Sequence, residues 1–316
     1  MKIAKRVFLF VSVNILIIAT LSVVMSALGI QPYLTNKGMD YTSLILLCTV
    51  WGFGGAFISL ALSRKMAKWM MGVKVIDSNE RDPGLNDLVR RVHLLSKKAG
   101  IEVMPEVGIY ESPEINAFAT GPTKNRSLVA VSTGLLERMD RDETEGVLAH
   151  EVAHIANGDM VTMTLVQGVV NAFVMFLARI IANVASQLVD EEKRPMIQFG
   201  FVLALEVVLG MLGMILVSAF SRHREYRADQ GGADLSTPSQ MIAALEKLKK
   251  NYQLEPSEDS EQPALATLKI SGKAGGLLKL FSTHPDLDDR IERLKQYPSR
   301  SSYWVGKRRS TTRAIG

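Results

Sequence analysis

The sequence predicts an α+β membrane protein, mostly helical, with four transmembrane helices and a soluble domain that carries a small β-sheet. Three observations point there. The 316 residues are 47% apolar yet 22% charged, and the mean hydropathy is +0.13. That combination needs apolar residues concentrated in some segments and charges in others, which excludes a disordered chain and a simple soluble globule. Four runs, Val7–Ala27, Tyr41–Leu62, Met160–Ala178 and Met196–Phe220, match the roughly 20 apolar residues that a helix needs to span a bilayer. The remaining segments, Ser63–Asp159 and Ser221–Gly316, together suffice for one cored domain.

The first run follows Lys2, Lys5 and Arg6 like a secretion signal, but its apolar stretch exceeds the usual h-region of about 7–15 residues, so it reads as an uncleaved anchor. Lys and Arg counts set the topology. Lys2, Lys5 and Arg6 precede the first span, Arg64, Lys65, Lys68 and Lys74 follow the second, and Arg222, Arg224 and Arg227 follow the fourth. The loop Leu28–Asp40 holds only Lys37, and the turn Asp190–Pro195 offsets Lys193 and Arg194 with three acids. Both termini and the long segments are therefore expected on the cytoplasmic side. The expected divisions are 1–65, an N-terminal hairpin; 66–159, the first part of the soluble domain; 160–220, a second hairpin inserted in it; 221–298, its second part; and 299–316, a basic tail.

Arg179 and Glu206 interrupt the second hairpin symmetrically about its turn. In antiparallel helices they would lie at one depth, about 20 Å from the turn. Each charge alone would cost roughly 2.5–3.5 kcal/mol at mid-bilayer, so an intramembrane ion pair is expected, against the alternative that each faces a water-filled cleft separately.

Within the soluble segments, Leu85, Leu88, Val89, Val92 and Leu95 share one face, and Gly100 follows; the spacing predicts an amphipathic helix over 85–99. His93 sits at the edge of that stripe with no histidine at helical spacing, which makes it a surface or half-buried side chain. Glu106–Tyr110, Ile115–Thr120 and Ser127–Ser132 are β-prone and are separated by Pro113, Gly121, Pro122 and Asn125. Asp140 with Glu143 three residues on resembles a capping box that opens a helix through His154 to Asn157–Gly158. Glu255–Gln262 reads as a solvated loop.

That helix carries His150-Glu151-Val152-Ala153-His154, an H-E-x-x-H motif. Positions i and i+4 point both imidazoles to one side, where they can share a zinc ion. Glu151 lies about 100° away around the helix, near a bound water without being a ligand. An isolated match also arises from two surface histidines. The single cysteine, Cys48, excludes a cysteine zinc cluster and an internal disulfide. A catalytic zinc wants a third protein ligand, and Glu225 is the best candidate. Asp229, on the same helix face, could accept the second N–H of a ligating histidine. A charged juxtamembrane helix would also explain this segment. His223 lies on nearly the opposite face from Glu225 and is a poor ligand.

HEVAH followed by Asn157-Gly158-Asp159, then Glu225-x-x-x-Asp229 and Thr283-His284-Pro285, with Asn116-Ala117-Phe118-Ala119-Thr120-Gly121 upstream, resembles the HtpX membrane metalloproteases, bacterial relatives of the type I CAAX prenyl proteases. The resemblance covers nearly the whole chain, with several unlinked motifs in order. It implies a cytoplasmic zincin-like metalloprotease domain beside the four spans, with His150, His154 and Glu225 holding one Zn²⁺. Glu151 would be general base and acid, and Asp229 would support a ligand. His284 would approach the substrate carbonyl, and Asn116 would lie beside the cleft near an edge strand that holds the peptide. Arg290 either orients the His284 segment or is a surface arginine.

The expected function is zinc-dependent endopeptidase activity on damaged or misfolded membrane proteins at the cytoplasmic face of a bacterial inner membrane, a quality-control and stress-response role. The expected partners are polypeptides and the bilayer, with no nucleic acid, because the basic residues lack interleaved aromatics apart from Tyr303 and Trp304. The alternatives are a catalytically silent, zinc-stabilised scaffold and a prenyl-protein processing protease; relatives of the second kind use more spans to enclose a chamber.

Overall fold

The computed structural model describes residues 15, 17, 19–29, 33–35, 38–77, 80–254 and 280–298. The chain divides into two compact units, Met1–Leu62 with Val161–Ala219, and Ser63–Met160 with Phe220–Gly316.

In the first unit, a two-residue ladder pairs β1 (Leu34–Thr35) with β2 (Gly38–Met39) and leads into α1 (Tyr41–Met70). α5 (Asp159–Ser186) and α6 (Arg194–Leu235) follow later in the chain. Among the described residues these three helices, the last with its preceding turn, are long and apolar enough to cross a membrane. The fourth expected span, Val7–Ala27, lies partly outside the described residues; within it 19–27 are helical. Small residues bring the helices together: a Cβ at Gly52 would stand 2.6 Å from the Ala172 backbone nitrogen, and one at Gly168 would stand 2.5 Å from the Phe53 ring. The expected ion pair is present. Arg179 Nη1 donates to Glu206 Oε1 at 2.6 Å and also to the Met175 carbonyl.

The second unit holds a four-stranded mixed sheet of β3 (Lys74–Val75), β4 (Glu106–Tyr110), β5 (Ala117–Thr123) and β6 (Arg126–Ser132), in the order β3-β4-β6-β5. β4 and β6 run parallel, pairing Val107 with Val129 and Ile109 with Val131; the other neighbours are antiparallel. The central strand β6 is buried at every position after Arg126. Val107, Ala117, Val129 and Val131 meet the main core, while Tyr110, Phe118, Leu128 and Ala130 form a smaller cluster with Val73.

The helices of this unit are α2 (Pro83–Lys98), α3 (Thr133–Arg138), α4 (Arg141–Asn157), α7 (Pro238–Leu254), α8 (Leu287–Lys295) and the end of α6. α2 starts two residues before its apolar stripe because Asp82 caps it and Pro83 fills the first turn. α4 opens on the expected capping box: Glu143 N donates to Asp140 Oδ1 at 2.8 Å, and Asp140 N donates to Glu143 Oε2 at 2.9 Å. A cap of this kind contributes about 1 kcal/mol. Leu148, Val152 and Ile155 of α4 are fully buried against the sheet and α7. Burying such side chains stabilises by roughly 1.5–3 kcal/mol each, and this fixes the roll of α4 about its axis.

Candidate metal centre

The roll of α4 sets the direction of its two histidines, and the end of α6 supplies what meets them. A glycine pair allows the approach. A Cβ at Gly231 would stand 2.9 Å from Ala153 Cβ, and one at Gly232 would stand 2.7 Å from Met241 Sδ and 3.2 Å from the His150 backbone nitrogen. With no side chain there, α6 lies close against α4 and brings Glu225 and Asp229 over the imidazoles. Glu225 is 0% exposed.

His150 Nε2 and His154 Nε2 lie 3.1 Å apart. Glu225 Oε2 is 3.4 Å from the first and Oε1 is 3.3 Å from the second. Ligands at about 2.0–2.1 Å around one tetrahedral ion stand about 3.3–3.4 Å from one another, so the trio has the spacing of a shared cation. The other ring nitrogens are turned to carboxylates. His154 Nδ1 lies 2.6 Å from Asp159 Oδ2, and His150 Nδ1 lies 3.0 Å from Asp229 Oδ1. With Nδ1 of each ring facing a carboxylate, Nε2 is left turned toward the shared metal position. Two imidazoles and one carboxylate, with every ligand supported from behind, fit a divalent transition metal.

The charges follow from this packing. Burial opposes charge on the His154 ring, but the Glu225 and Asp159 carboxylates outweigh it and raise the pKa to about 9. Glu225 is held well below the usual carboxylate range: burial works against its charge, and the surrounding histidines overcome it. Asp229 is lowered to about 2, with the Arg290 guanidinium overcoming burial. Arg290 forms a two-pronged pair with Asp229, Nε to Oδ2 at 2.8 Å and Nη2 to Oδ1 at 2.6 Å, and is 1% exposed.

Of the residues singled out in the sequence, His150, His154, Glu225 and Asp229 come together. Glu151 is buried beside them on α4. His284 arrives from the segment before α8, with Nδ1 2.9 Å from Glu225 Oε2. Asn116 stands one residue before β5; its carbonyl accepts from Ser132 N, and its N–H donates to Ser132 Oγ. Its Oδ1 is buried and has no hydrogen-bond partner among the described residues. His223 is exposed, and half-buried His93 faces the Pro105 carbonyl. Arg290 is a buried partner of Asp229, not a surface residue.

Asp159 carries no role in the sequence reading. Its signal is Gly158: at φ +71 this residue ends α4 in the left-handed conformation, a turn that glycine adopts without strain. The next residue, Asp159, then has Oδ2 within reach of His154 Nδ1. Arg224, whose Nη2 lies 3.0 Å from Glu225 Oε1, is also visible only in the fold.

Comparison with known proteins agrees with this geometry. The family model described as Peptidase family M48 matches residues 81–298. The Protease HtpX homolog of Bacillus subtilis (strain 168) is 54% identical over 299 residues, which is 92% of this chain and 99% of the relative. That of Methylacidiphilum infernorum is 50% identical over 301 residues, 93% and 99% respectively. The crystal structure of S. mikatae Ste24p shares the fold, with a TM-score of 0.62 at 16% identity, covering 92% of this chain and 65% of that longer one. With a helix-borne His-Glu-x-x-His, a carboxylate from a second helix and relatives of this length and identity, the chain belongs to peptidase family M48, as a membrane metalloprotease of the HtpX type.

Proposed function

We propose that this chain is a zinc-dependent endopeptidase of a bacterial inner membrane, with four spans, that cuts damaged or misfolded membrane proteins at the cytoplasmic face. The observation that carries the reading is the convergence of His150 Nε2, His154 Nε2 and a Glu225 carboxylate oxygen within 4.8 Å of one another.

In this reading His150, His154 and Glu225 hold the ion, and Asp229 and Asp159 orient the two rings. Zinc held there supplies a Lewis acid, the chemistry by which water becomes a nucleophile near neutral pH. Glu151 accepts a proton from the attacking water and delivers it to the leaving amine, work typically worth about 10²–10⁴ in rate. His284 donates a hydrogen bond to the substrate carbonyl oxygen as charge develops on it. The outer edge of β5 has no strand partner among the described residues, and α4 packs against this strand. An extended peptide adding there would gain backbone hydrogen bonds, with the unpaired Asn116 Oδ1 at the start of the strand as a further acceptor.

Support for the membrane reading comes from the sequence. The ligand helix α4 ends at Asn157, one residue before α5 begins, and Glu225 lies on the same helix as the last apolar span. The Lys and Arg asymmetry supports a cytoplasmic position for these junctions. Selection for bilayer-borne substrates follows, because a soluble peptide lacks the local concentration that a span confers.

The test is cleavage by the detergent-purified chain with zinc, beside Glu151→Gln and a chelated sample. One target sequence is presented twice, on a soluble carrier and beside a transmembrane segment. The reading expects cleavage by the wild type alone, abolished by chelation and faster beside the span. Inactivity of both proteins with one zinc each would favour a scaffold, and equal cleavage of both carriers would remove the preference for membrane substrates.

A further inference from the structure

Arg222 follows the last apolar run, where its charge counts toward topology; in the folded chain it has a further partner. It lies on α6 three residues before Glu225, so the two share a helix face. Its Nη1 donates to two backbone carbonyls, Leu280 at 3.1 Å and Ser282 at 2.7 Å. The bonds continue from there. Ser282 Oγ donates to the His284 carbonyl at 2.7 Å, and His284 Nδ1 meets Glu225 Oε2 at 2.9 Å. The path leaves α6 at position 222 and returns to it at 225, with residues 280–284 closed into the loop.

We propose that Arg222 is a positioning residue for His284, holding the 280–284 segment so that the imidazole is seated against the metal-ligand carboxylate. Segment 280–284 lies outside α8, which begins at Leu287, and past the 3-10 turn at Leu280–Phe281 the residues Ser282–His284 lack the constraint a helix would give. Two carbonyls on one guanidinium nitrogen supply that constraint. Hydrogen bonds from a charged donor are stronger than neutral ones, enough to hold a short segment against its conformational freedom. A small misplacement of a group that acts in the transition state is costly to rate. Seating His284 is thus the property that loss of Arg222 changes, while the three metal ligands, none bonded to Arg222, stay in place.

The inference rests on the proposed action of His284 on the substrate carbonyl, and the experiment separates the two. Zinc content, kcat and KM are measured for the full-length chain in detergent as wild type, R222A, H284A and R222A/H284A. The expected result is one zinc per chain throughout, KM within about twofold, and kcat lowered at least tenfold by R222A. The double variant should be no slower than H284A, because both changes remove one action. If H284A is impaired and R222A is not, the positioning role is overturned and the role of His284 stands. If the two effects multiply in the double variant, Arg222 acts apart from His284 and the proposal fails. If H284A keeps full activity, both readings fall. Should R222A lose zinc or fail to fold, R222K takes its place under the same criteria. It keeps the charge but lacks the planar fork.

Discussion

His154 Nδ1 and Asp159 Oδ2 stand 2.6 Å apart across the left-handed turn at Gly158. The carboxylate holds the ring with Nε2 turned toward His150 and Glu225, so Asp159 would act through the histidine on a metal held there. Asp159→Ala is expected to weaken zinc binding about 10- to 100-fold. Competition with a chromophoric chelator measures this, and unchanged affinity would remove Asp159 from the site.

The same contact bears on protons. In the metal-free chain His154 titrates at about 9, against an ordinary 6.5. A raised pKa stabilises the folded, metal-free chain fully below about 6.5, and that contribution is lost as pH rises through 9. A metal ligand must be neutral, so zinc binding at pH 7 should expel about one proton from this ring. Titration calorimetry in buffers of different ionisation enthalpy reads that proton. Affinity should rise with pH up to about 9, and heats independent of buffer would contradict the assignment.

Arg290 and Asp229 make the opposite case. The Asp229 carboxyl, lowered to about 2 from 3.8, contributes stability above pH 3.8 that is lost as pH falls toward 2. Arg290→Met leaves the buried Asp229 carboxylate with only the His150 ring as partner, at a cost of up to about 3–5 kcal/mol. With the guanidinium gone, burial raises the carboxyl pKa. The acid unfolding midpoint of the zinc-stripped variant should therefore move to higher pH, and an unmoved midpoint would show the pair to be energetically idle.

The Arg179–Glu206 pair permits a cycle in the membrane unit. Removing either charge strands the other among apolar helices, at roughly 2.5–3.5 kcal/mol, so R179M and E206M should each destabilise more than the double variant. Detergent unfolding in bicelles measures all four proteins. Additive effects would mean that the two charges do not interact.

What the sequence made legible was local or periodic. The i, i+4 histidines, the Asp140–Glu143 capping box, three of the four strands of the sheet and the 85–99 stripe are patterns within a dozen residues. Arg179 and Glu206 could be paired because a hairpin has a known centre. Beyond Asp229, the supports of the site were not legible, because they depend on where the chain goes next. Asp159 reaches His154 only through the turn at Gly158. Arg290 reads as either a surface arginine or a support of the His284 segment until α8 packs it onto Asp229, and the approach at Gly231–Gly232 shows only once α4 lies against it. β3 and α3, of two and six residues, are too short to show a period.

The central claim is that His150, His154 and Glu225 hold one zinc ion. Its most direct test is zinc content with X-ray absorption at the zinc edge, on the purified full chain beside Glu225→Ala. The account predicts one zinc per chain bound by two imidazole nitrogens and oxygen, without sulfur, and loss of that zinc in the variant. A full complement of zinc with an unchanged spectrum in Glu225→Ala would contradict it.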